Sequence, residues 1–287
     1  MKVSVISSCW HSNEQFLREC IESIINQSFQ DWEFILANDE QPEIDMKSIV
    51  ESYKDPRIKY HDNVVNMGFS NSYNNLISMT SGEYFAIAGH DDISTPDRLK
   101  ILVNELDKDP ELDFCSGRLH IFGKTRERDD GQAMAPERVS QELMFVQPMK
   151  SGTAMFRKSS WVKNNLSFTN LVQVAHDYEM WSRTRHMKHL IVDDILLNYR
   201  KHDNNTTKLN GNKIRIDHAM IVRRNLSEIK IFAPFGLCQL LDPHGHPEMD
   251  SNVKKEYIEL FKRYRDKLVP EIGVDLFERK LEEISNK

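Results

Sequence analysis

The residues best suited to chemistry are a histidine followed by two carboxylates, His90, Asp91 and Asp92. They follow the apolar run FAIA at residues 85–88, which is typical of a buried strand. Adjacent carboxylates repel each other, so the pair needs a counter-charge or free access to solvent. A divalent cation with oxygen ligands would supply that counter-charge. On spacing alone, both a metal site and a solvated loop remain open.

Two other predicted strands also end in polar residues. The first, VSVISS, leads into Ser8 and Cys9, and the second, WEFILAND, ends in Asn38 and Asp39. In an open parallel sheet, ligands bind beyond the carboxyl ends of the strands. We therefore expect these residues to share one edge with the His-Asp-Asp segment. An Asn-Asp pair in this position is also typical of a simple turn.

The first half of the chain alternates strand and helix patterns, which indicates right-handed βαβ units and a mostly parallel sheet. A strand predicted within 83–91 is flanked by helices predicted at 68–82 and 96–109. Gly82 is the expected C-cap of the first helix, and Thr95 is the expected N-cap of the second.

The pattern changes after about residue 110. Long strands are predicted at 112–123 and 189–202, whereas the polar stretch 124–139 is predicted to be an exposed loop. From about Lys208 onward the sequence is predicted to be helical, with amphipathic stretches.

Composition limits the class of protein. The chain has 287 residues, of which 39% are hydrophobic and 29% charged, and its net charge is -6. This charge argues against a nucleic-acid-binding surface. The four scattered cysteines indicate reduced, buried thiols in a cytoplasmic protein. No apolar run approaches the roughly 20 residues that a membrane span needs, while contact with the inner face of the cell membrane stays open.

Several segments, in order, resemble the family-2 glycosyltransferases, which have the GT-A fold. The opening of the chain resembles the nucleotide-binding start of that family, and its most characteristic part is QSFQDWEFILAND. The segment from NMGFSN to AGHDD resembles the second signature, which ends in an acidic metal motif. HDYEMW resembles the motif of the catalytic base, and YRKHDNNTT resembles the segment with a C-terminal histidine. The resemblance covers roughly residues 2–207.

The resemblance implies an α/β fold of the GT-A type, a Rossmann-like, mostly parallel sheet flanked by helices. The glycosyltransferase domain would span residues 1–207, with a nucleotide-binding half at about 1–110 and an acceptor half at about 111–207. A helical extension would span 208–287. The implied activity is an inverting, metal-dependent transfer from a nucleotide-diphosphate sugar, expected to be a UDP-sugar. The acceptor would be a hydroxyl of a glycan or a lipid-linked molecule in polysaccharide biosynthesis, as in hexosyltransferases (EC 2.4).

The resemblance also implies roles for particular residues. Asp177 would be the catalytic base that takes the proton of the acceptor hydroxyl. Asp92 would bind Mn²⁺ or Mg²⁺, and His202 would bind the metal or the diphosphate. Asp91 would contact the ribose or the donor sugar. The other expected donor-binding residues are Ser8, Trp10, Asp39, Asn66, Gly152 and Thr153.

The sequence departs from the family pattern at two positions in these motifs. Gly89 stands where many relatives have an aspartate, and His176 stands where a glutamate is usual. Arg98 follows the metal motif and is expected to be solvated. Two other functions stay open, a non-catalytic nucleotide-sugar-binding relative and a sugar-phosphate nucleotidyltransferase. The second needs a glycine-rich basic loop after the first strand, and SSCWHSNEQ contains no glycine, lysine or arginine.

Overall fold

The computed structural model of the protein describes residues 1–40, 43–242 and 249–287. The strands in this part are β1 (Val3–Cys9), β2 (Trp32–Asn38), β3 (Ile58–Asp62), β4 (Tyr84–Ile87), β5 (Ile93–Ser94), β6 (Phe114–Gly123), β7 (Arg128–Asp130), β8 (Met155–Arg157) and β9 (His189–Lys201). The helices are α1 (Glu14–Ile25), α2 (Met46–Ser52), α3 (Gly68–Met79), α4 (Arg98–Lys108), α5 (Pro136–Glu142), α6 (Lys158–Lys163), α7 (His176–Arg183), α8 (Thr206–Leu209), α9 (Gly211–Glu228), α10 (Phe235–Leu241), α11 (Ser251–Arg263) and α12 (Arg265–Asn286).

All of these strands belong to one mixed sheet, in the order β3-β2-β1-β4-β8-β6-β9-β5, with β7 paired to β6. The first four strands of this order are parallel, as the alternation of strand and helix patterns predicts. In the other half β8 runs antiparallel to both of its neighbours, while β6 and β9 are parallel. The parallel half places the carboxyl ends of β1, β2 and β4 side by side.

The parallel half is held together by a buried apolar core. Helix α1 begins after Asn13, whose side chain accepts a hydrogen bond from the amide of Phe16 at 3.2 Å. The helix then buries Leu17, Ile21 and Ile24 against the sheet, each with no more than 1% of its surface exposed. Burying one such side chain contributes about 1.5–3 kcal/mol, so this face fixes the helix against the strands.

The expected role of Gly82 as a helix cap is wrong. Helix α3 ends at Met79, and the hydroxyl of Thr80 donates to the carbonyl of Ile77 at 2.7 Å. Gly82 instead passes close to β1, because a Cβ at this position would lie 2.7 Å from the amide nitrogen of Ser4. The glycine is therefore needed for a close approach to the neighbouring strand.

Two other local predictions are also wrong. Helix α4 begins at Arg98, and the Thr95 hydroxyl donates to the carbonyl of Ile195 at 3.1 Å instead of capping the helix. The predicted loop 124–139 contains β7, which pairs with β6, and the beginning of α5. The first difference depends on a contact between residues 100 positions apart, and the second on pairing with the strand that directly precedes β7.

Contacts within the chain divide it into two compact units. The first unit comprises Met1–Ala135, Met149–Thr169 and Lys188–Asp203, and the second comprises Pro136–Pro148, Asn170–Met187 and Asn204–Lys287. The sheet lies within the first unit. The predicted division at residues 207 and 208 stays a prediction.

The second unit is helical and has its own core, in which the rings of Phe261 and Phe277 stack at 5.0 Å between centroids. Within the described residues no helix is both long enough and apolar enough to cross a membrane. The four cysteines are unpaired and buried, as expected for reduced thiols.

Candidate active site

The first unit gathers several predicted site residues at the carboxyl edge of the parallel strands. Asp39 is buried directly after β2, and its amide donates to the carbonyl of Cys9 at the end of β1, at 2.9 Å. Asp91 and Asp92 follow β4, the other neighbour of β1. The edge predicted from the strand ends is therefore present in the fold.

Asp39 organises the start of helix α3. One carboxylate oxygen accepts hydrogen bonds from the Asn63 amide group at 2.9 Å and from the Met67 backbone at 2.8 Å. The other oxygen accepts from the backbone of Gly68 at 3.1 Å. A carboxylate has about four acceptor positions, so Asp39 retains capacity for a further N–H donor.

Three other residues predicted to bind the sugar donor lie at the end of β1 or just before α3. Asn66 donates to the Asp39 carbonyl at 3.3 Å, and its own side-chain oxygen accepts from the Gly68 backbone at 3.0 Å. The hydroxyl of Ser8 lies 2.7 Å from that of Ser72 on α3. Trp10 is 54% exposed. Asn66 is thus at least a turn-forming residue, whereas the indole of Trp10 offers an exposed flat face.

The two adjacent carboxylates occupy different environments. Asp91 is partly buried, and its Oδ2 lies 2.8 Å from Nε2 of His202. Asp92 is only 5% exposed, and its Oδ1 accepts a hydrogen bond from the backbone of Arg200 at 2.9 Å. Burial raises the pKa of Asp92 well above its ordinary value, and the negative charge of Asp91 raises it further.

Gly89 allows both carboxylates to converge. A Cβ at this position would lie 2.7 Å from Oδ2 of Asp92 and 3.1 Å from Oδ1 of Asp91. The space that a side chain at position 89 would fill is therefore bordered by two carboxylate oxygens. Carboxylate oxygen and imidazole nitrogen are donors that suit Mn²⁺ and, for the oxygens, Mg²⁺.

The metal-binding donor set is nevertheless incomplete as it stands. Within residues 1–40, 43–242 and 249–287, no group of three or more His, Cys, Asp or Glu side chains is arranged to hold a metal ion. Asp92 and His202 supply suitable donor types, so the residues fit a cation that takes its remaining ligands from elsewhere.

Arg200 is a site residue that the sequence did not single out. Its Nε donates to the carbonyl of Asp91 at 2.9 Å, in addition to the backbone contact with Asp92. Its guanidinium also pairs with Glu19 and lies 4.2 Å from the ring centroid of Phe16. The only sequence signal is its place two residues before His202. Arg200 ties the segment of the acidic pair to β9.

The expectation that Arg98 is solvated is wrong. Arg98 is fully buried, and it donates to the carbonyl of Ile87 at 2.6 Å and to the hydroxyl of Ser94 at 2.9 Å. Burial lowers the pKa of Arg98 to about 10. Arg98 holds the end of β4 to β5, on either side of the acidic pair.

Gly152 and Thr153 lie in the short turn before β8. A Cβ on Gly152 would lie 3.0 Å from Cδ2 of Leu197 and 3.8 Å from Oδ2 of Asp92, so this turn passes beside the acidic pair. Thr153 is fully buried, and its hydroxyl bonds with the backbone of Gly117 and the carbonyl of Lys150. Gly152 adjoins the site, and Thr153 fixes the turn. A direct contact between Thr153 and the sugar donor stays a prediction.

Asp177 lies in the second unit, in the first turn of α7. It is half-buried; its Oδ2 accepts a hydrogen bond from Gln147 at 2.8 Å, and its Oδ1 accepts from the Tyr178 backbone at 2.8 Å. The segment just before α7 is held by the buried carboxylate of Asp217. That carboxylate accepts hydrogen bonds from three consecutive backbone amides at 2.7–3.2 Å, those of Gln173, Val174 and Ala175.

Glu179 shares this first turn but has a different environment. It is fully buried, and its Oε1 lies 2.9 Å from Nε of Arg183 and 2.6 Å from a terminal nitrogen of Arg224. Its carboxylate is thus neutralised within the second unit. This contrast distinguishes Glu179, a structural acid, from the more accessible Asp177. The sequence alone could not distinguish them, because both lie in the first turn of the helix.

Comparisons with known proteins agree with this description. The sequence profile of the family described as glycosyl transferase family 2 matches residues 4–168. An uncharacterized glycosyltransferase of Haemophilus influenzae is 29% identical over 237 residues, which cover 78% of this chain and 73% of the relative.

Two solved structures match along the whole chain. Residues 1–349 of S. aureus TarS, in complex with UDP-GlcNAc, have a TM-score of 0.65 at 16% identity, with 89% of that chain covered. The mannosyltransferase PcManGT from Pyrobaculum calidifontis, in complex with GDP-Man and Mn²⁺, has a TM-score of 0.59 at 14% identity, with 86% covered. At these identities the structures show a shared fold.

The profile match spans more than half of the chain, so the protein belongs to glycosyl transferase family 2. It has the GT-A fold, and it is a glycosyltransferase. The predicted family, fold class and enzyme class are confirmed.

Proposed function

We propose that the protein transfers a sugar, with inversion, from a UDP-sugar to a hydroxyl of a glycan or lipid-linked acceptor in polysaccharide biosynthesis. The observation that carries the proposal is the convergence of Asp91 and Asp92 over Gly89, with His202 beside them. This convergence lies at the edge of the sheet where parallel strands bind ligands. The binding of UDP-GlcNAc by a structural neighbour supports a nucleotide-sugar donor.

A divalent cation, Mn²⁺ or Mg²⁺, would be held by Asp92 and His202. The cation would neutralise the negative charge that develops on the departing diphosphate. Since these two residues leave coordination positions open, the donor phosphates themselves would fill some of them. Arg200 would keep Asp92 in place through its backbone hydrogen bond. The Mn²⁺ in the P. calidifontis mannosyltransferase complex supports a metal requirement.

The nucleotide base would lie against the cluster at the start of α3. Asp39 has acceptor capacity left for the N–H of a uracil, and Trp10 offers an exposed ring for stacking. Asp91 would contact the ribose or the donor sugar. Gly152 would let the donor sugar pass close to the backbone. Ser8, Asn66 and Thr153 would support these contacts by shaping the surrounding turns.

Asp177 would act as the general base for the acceptor hydroxyl. Inversion requires a group that takes the proton of this hydroxyl as its oxygen attacks the anomeric carbon. The hydrogen bonds from Gln147 and the Tyr178 amide orient the Asp177 carboxylate, and Glu179 is already paired with two arginines. His176, in place of the usual glutamate, precedes this base and would alter the acceptor contacts.

Nucleotide release from a panel of UDP- and GDP-sugars, with Mn²⁺ and with a chelator, tests the proposal. We expect release of UDP from at least one UDP-sugar only when metal is present, and loss of release in Asp177→Asn and Asp92→Asn. Asp193→Asn, a change of an 81%-exposed carboxylate, is the matched control and should leave release intact.

Three results would contradict the proposal. Tight UDP binding without turnover of any donor would indicate a non-catalytic binding protein. Release of pyrophosphate from UTP with a sugar phosphate would indicate a nucleotidyltransferase. Normal transfer by Asp177→Asn would exclude this residue as the base.

A further inference from the structure

Helix α1 presents two side chains to the end of β9, next to the candidate metal ligand His202. Phe16 and Glu19 are three positions apart, so they share one face of the helix. The centroid of the Phe16 ring lies 5.5 Å from that of the His202 ring and 4.2 Å from the guanidinium carbon of Arg200. One phenyl ring of α1 thus contacts both the arginine and the histidine at this strand end.

The guanidinium of Arg200 has aromatic and acidic partners on two other elements. It lies over the ring of Phe122 as well, 4.6 Å from the centroid, because Phe122 is opposite Arg200 in the pairing of β6 with β9. The carboxylate of Glu19 pairs with a terminal nitrogen of the guanidinium. A planar guanidinium suits both stacking on aromatic rings and pairing with a carboxylate, so these contacts fix the orientation of Arg200.

Arg200 connects this arrangement to the acidic pair. Its Nε donates to the carbonyl of Asp91 at 2.9 Å, and its backbone amide donates to Oδ1 of Asp92 at 2.9 Å. Nε2 of His202 lies 2.8 Å from Oδ2 of Asp91. The residues proposed to hold the metal and the donor are therefore linked to α1 through Phe16 and Arg200.

Glu19 also compensates the positive charge of Arg200. A guanidinium beside the acidic pair opposes the binding of a divalent cation, because like charges repel. The Glu19 carboxylate neutralises that charge, while Arg200 keeps its hydrogen bonds with Asp91 and Asp92. The arginine can thus position the acidic pair at a smaller cost to cation binding.

Helix α1 is a rigid support for these contacts. The side chain of Asn13 accepts a hydrogen bond from the amide of Phe16 at 3.2 Å, which fixes the backbone of Phe16 at the helix start. Leu17 and Ile21 are fully buried in the apolar core of the first unit. These anchors allow α1 to hold the end of β9 in place.

We propose that Phe16 and Glu19 are positioning residues for the metal site. Phe16 acts by packing against His202 and Arg200, and Glu19 acts by holding and neutralising the Arg200 guanidinium. The inference rests on the proposed metal-dependent transferase function and adds residues of α1 to it. Loss of partners that orient metal ligands typically lowers metal affinity about 10- to 100-fold.

The test measures Mn²⁺ binding to the full chain in the presence of UDP, by electron paramagnetic resonance of the free ion. We expect Phe16→Leu and Glu19→Gln each to weaken Mn²⁺ binding about tenfold. Phe16→Tyr retains the ring and should bind Mn²⁺ like the wild type. The Glu19 side chain is 31% exposed, so Glu19→Gln should fold even if Phe16→Leu does not.

Two matched controls distinguish positioning from a general structural effect. Phe29→Leu makes the same change at another partly buried phenylalanine, one that packs against the apolar core. Glu22→Gln removes the same charge further along α1, where the carboxylate accepts a hydrogen bond from Tyr53 at 3.1 Å. Both controls should bind Mn²⁺ like the wild type. Denaturant unfolding without metal compares the stability of each variant with that of its control.

The possible outcomes separate this inference from the proposed function. Wild-type Mn²⁺ affinity in folded Phe16→Leu and Glu19→Gln proteins would overturn the inference. An equal loss of affinity in the variants and their controls would also overturn it, because that result indicates a general effect of stability or charge. In either case, metal-dependent UDP release by the wild type would leave the transferase function standing. A wild type that binds no Mn²⁺ with UDP would overturn both the metal site and this inference.

Discussion

Gly89 determines how closely the two carboxylates of the candidate metal site can approach each other. In Gly89→Ala the new Cβ would lie 2.7 Å from Oδ2 of Asp92, a distance that requires the carboxylate to move. We therefore expect Gly89→Ala to weaken the binding of Mn²⁺ with UDP by about tenfold or more, the scale of one misplaced ligand. Isothermal titration of the wild type and the variant measures this change.

Gly211 offers a matched control for that experiment. A Cβ at Gly211 meets no atom within 4 Å, so Gly211→Ala adds the same methyl group in open space. This variant should bind Mn²⁺ and UDP like the wild type. Unchanged metal affinity in Gly89→Ala would show that the convergence over Gly89 is not needed for binding.

The environment of Asp92 predicts a pH dependence of metal binding. Burial and the charge of Asp91 raise the pKa of Asp92 in the folded, metal-free protein, so this protein holds a proton that an unfolded chain would release. The metal-free protein therefore loses stability as the pH rises above about 4, the ordinary value for aspartate. A bound cation requires the ionised carboxylate, and the affinity for Mn²⁺ should rise with pH over the same range.

Calorimetry in two buffers of different ionisation enthalpy measures the protons released on binding. We expect proton release when Mn²⁺ and UDP bind to the wild type at mildly acidic pH, and less release in Asp92→Asn. Equal proton release by the two proteins would contradict the proposed protonation of Asp92.

The site residues differ in how far the sequence could predict them. Asp39, Asp91 and Asp92 follow strands whose apolar runs are visible in the sequence, so their shared edge could be expected. Arg200 and Arg98 could not be assigned in this way. Arg200 acts through contacts with a segment more than a hundred residues away, and the burial of Arg98 depends on the carbonyl and hydroxyl partners that the fold brings to it.

Helix α7 illustrates how an element can be positioned by a residue outside it. Asp217 on α9 accepts hydrogen bonds from the amides of Gln173, Val174 and Ala175, just before the helix that carries Asp177. In Asp217→Ala these amides lose their acceptor; Ala175 is buried, and an unsatisfied buried donor costs about 1–3 kcal/mol, whereas water can reach the exposed Gln173. We expect the free energy of unfolding to fall by a few kcal/mol (about 2–4), and kcat to fall without a change in UDP affinity.

Asp250→Ala is the control for this element. Asp250 caps α11 by accepting hydrogen bonds from the amides of Asn252 and Val253, at an exposed helix end. Its removal should cost about 1 kcal/mol and leave kcat unchanged. Denaturant unfolding and initial rates of nucleotide release test both variants. A normal kcat in a folded Asp217→Ala protein would contradict the positioning role.

Elements with a clear apolar pattern could be predicted, while an element without such a pattern could not. The apolar periodicity of α1, the β-branched run of β1 and the apolar run of β2 are visible in the sequence and are confirmed by the structure. Strand β7 is a polar three-residue segment that becomes a strand only because β6 lies beside it. Nothing in its composition indicates this pairing.

At the scale of the whole molecule, the two units have separate apolar cores. The proposed donor contacts all lie in the first unit, so a bound donor stabilises that unit directly. At a UDP concentration about 100 times its dissociation constant, with Mn²⁺, the expected stabilisation is about 2.7 kcal/mol. Thermal unfolding should show an increased melting temperature, and a chelator or Asp92→Asn should reduce the increase.

Hydrogen exchange can locate this stabilisation within the chain. Amides that open by local fluctuations gain protection only where the ligand holds the structure closed. With UDP and Mn²⁺ we expect slower exchange at residues 66–68, where the amides of Met67 and Gly68 donate to Asp39, and at residues 89–92 and 200–202. Helices α11 and α12, which pack in the core of the second unit, serve as the internal control. Protection that appeared in these two helices and not at residues 66–68 and 89–92 would place the nucleotide outside the proposed donor site.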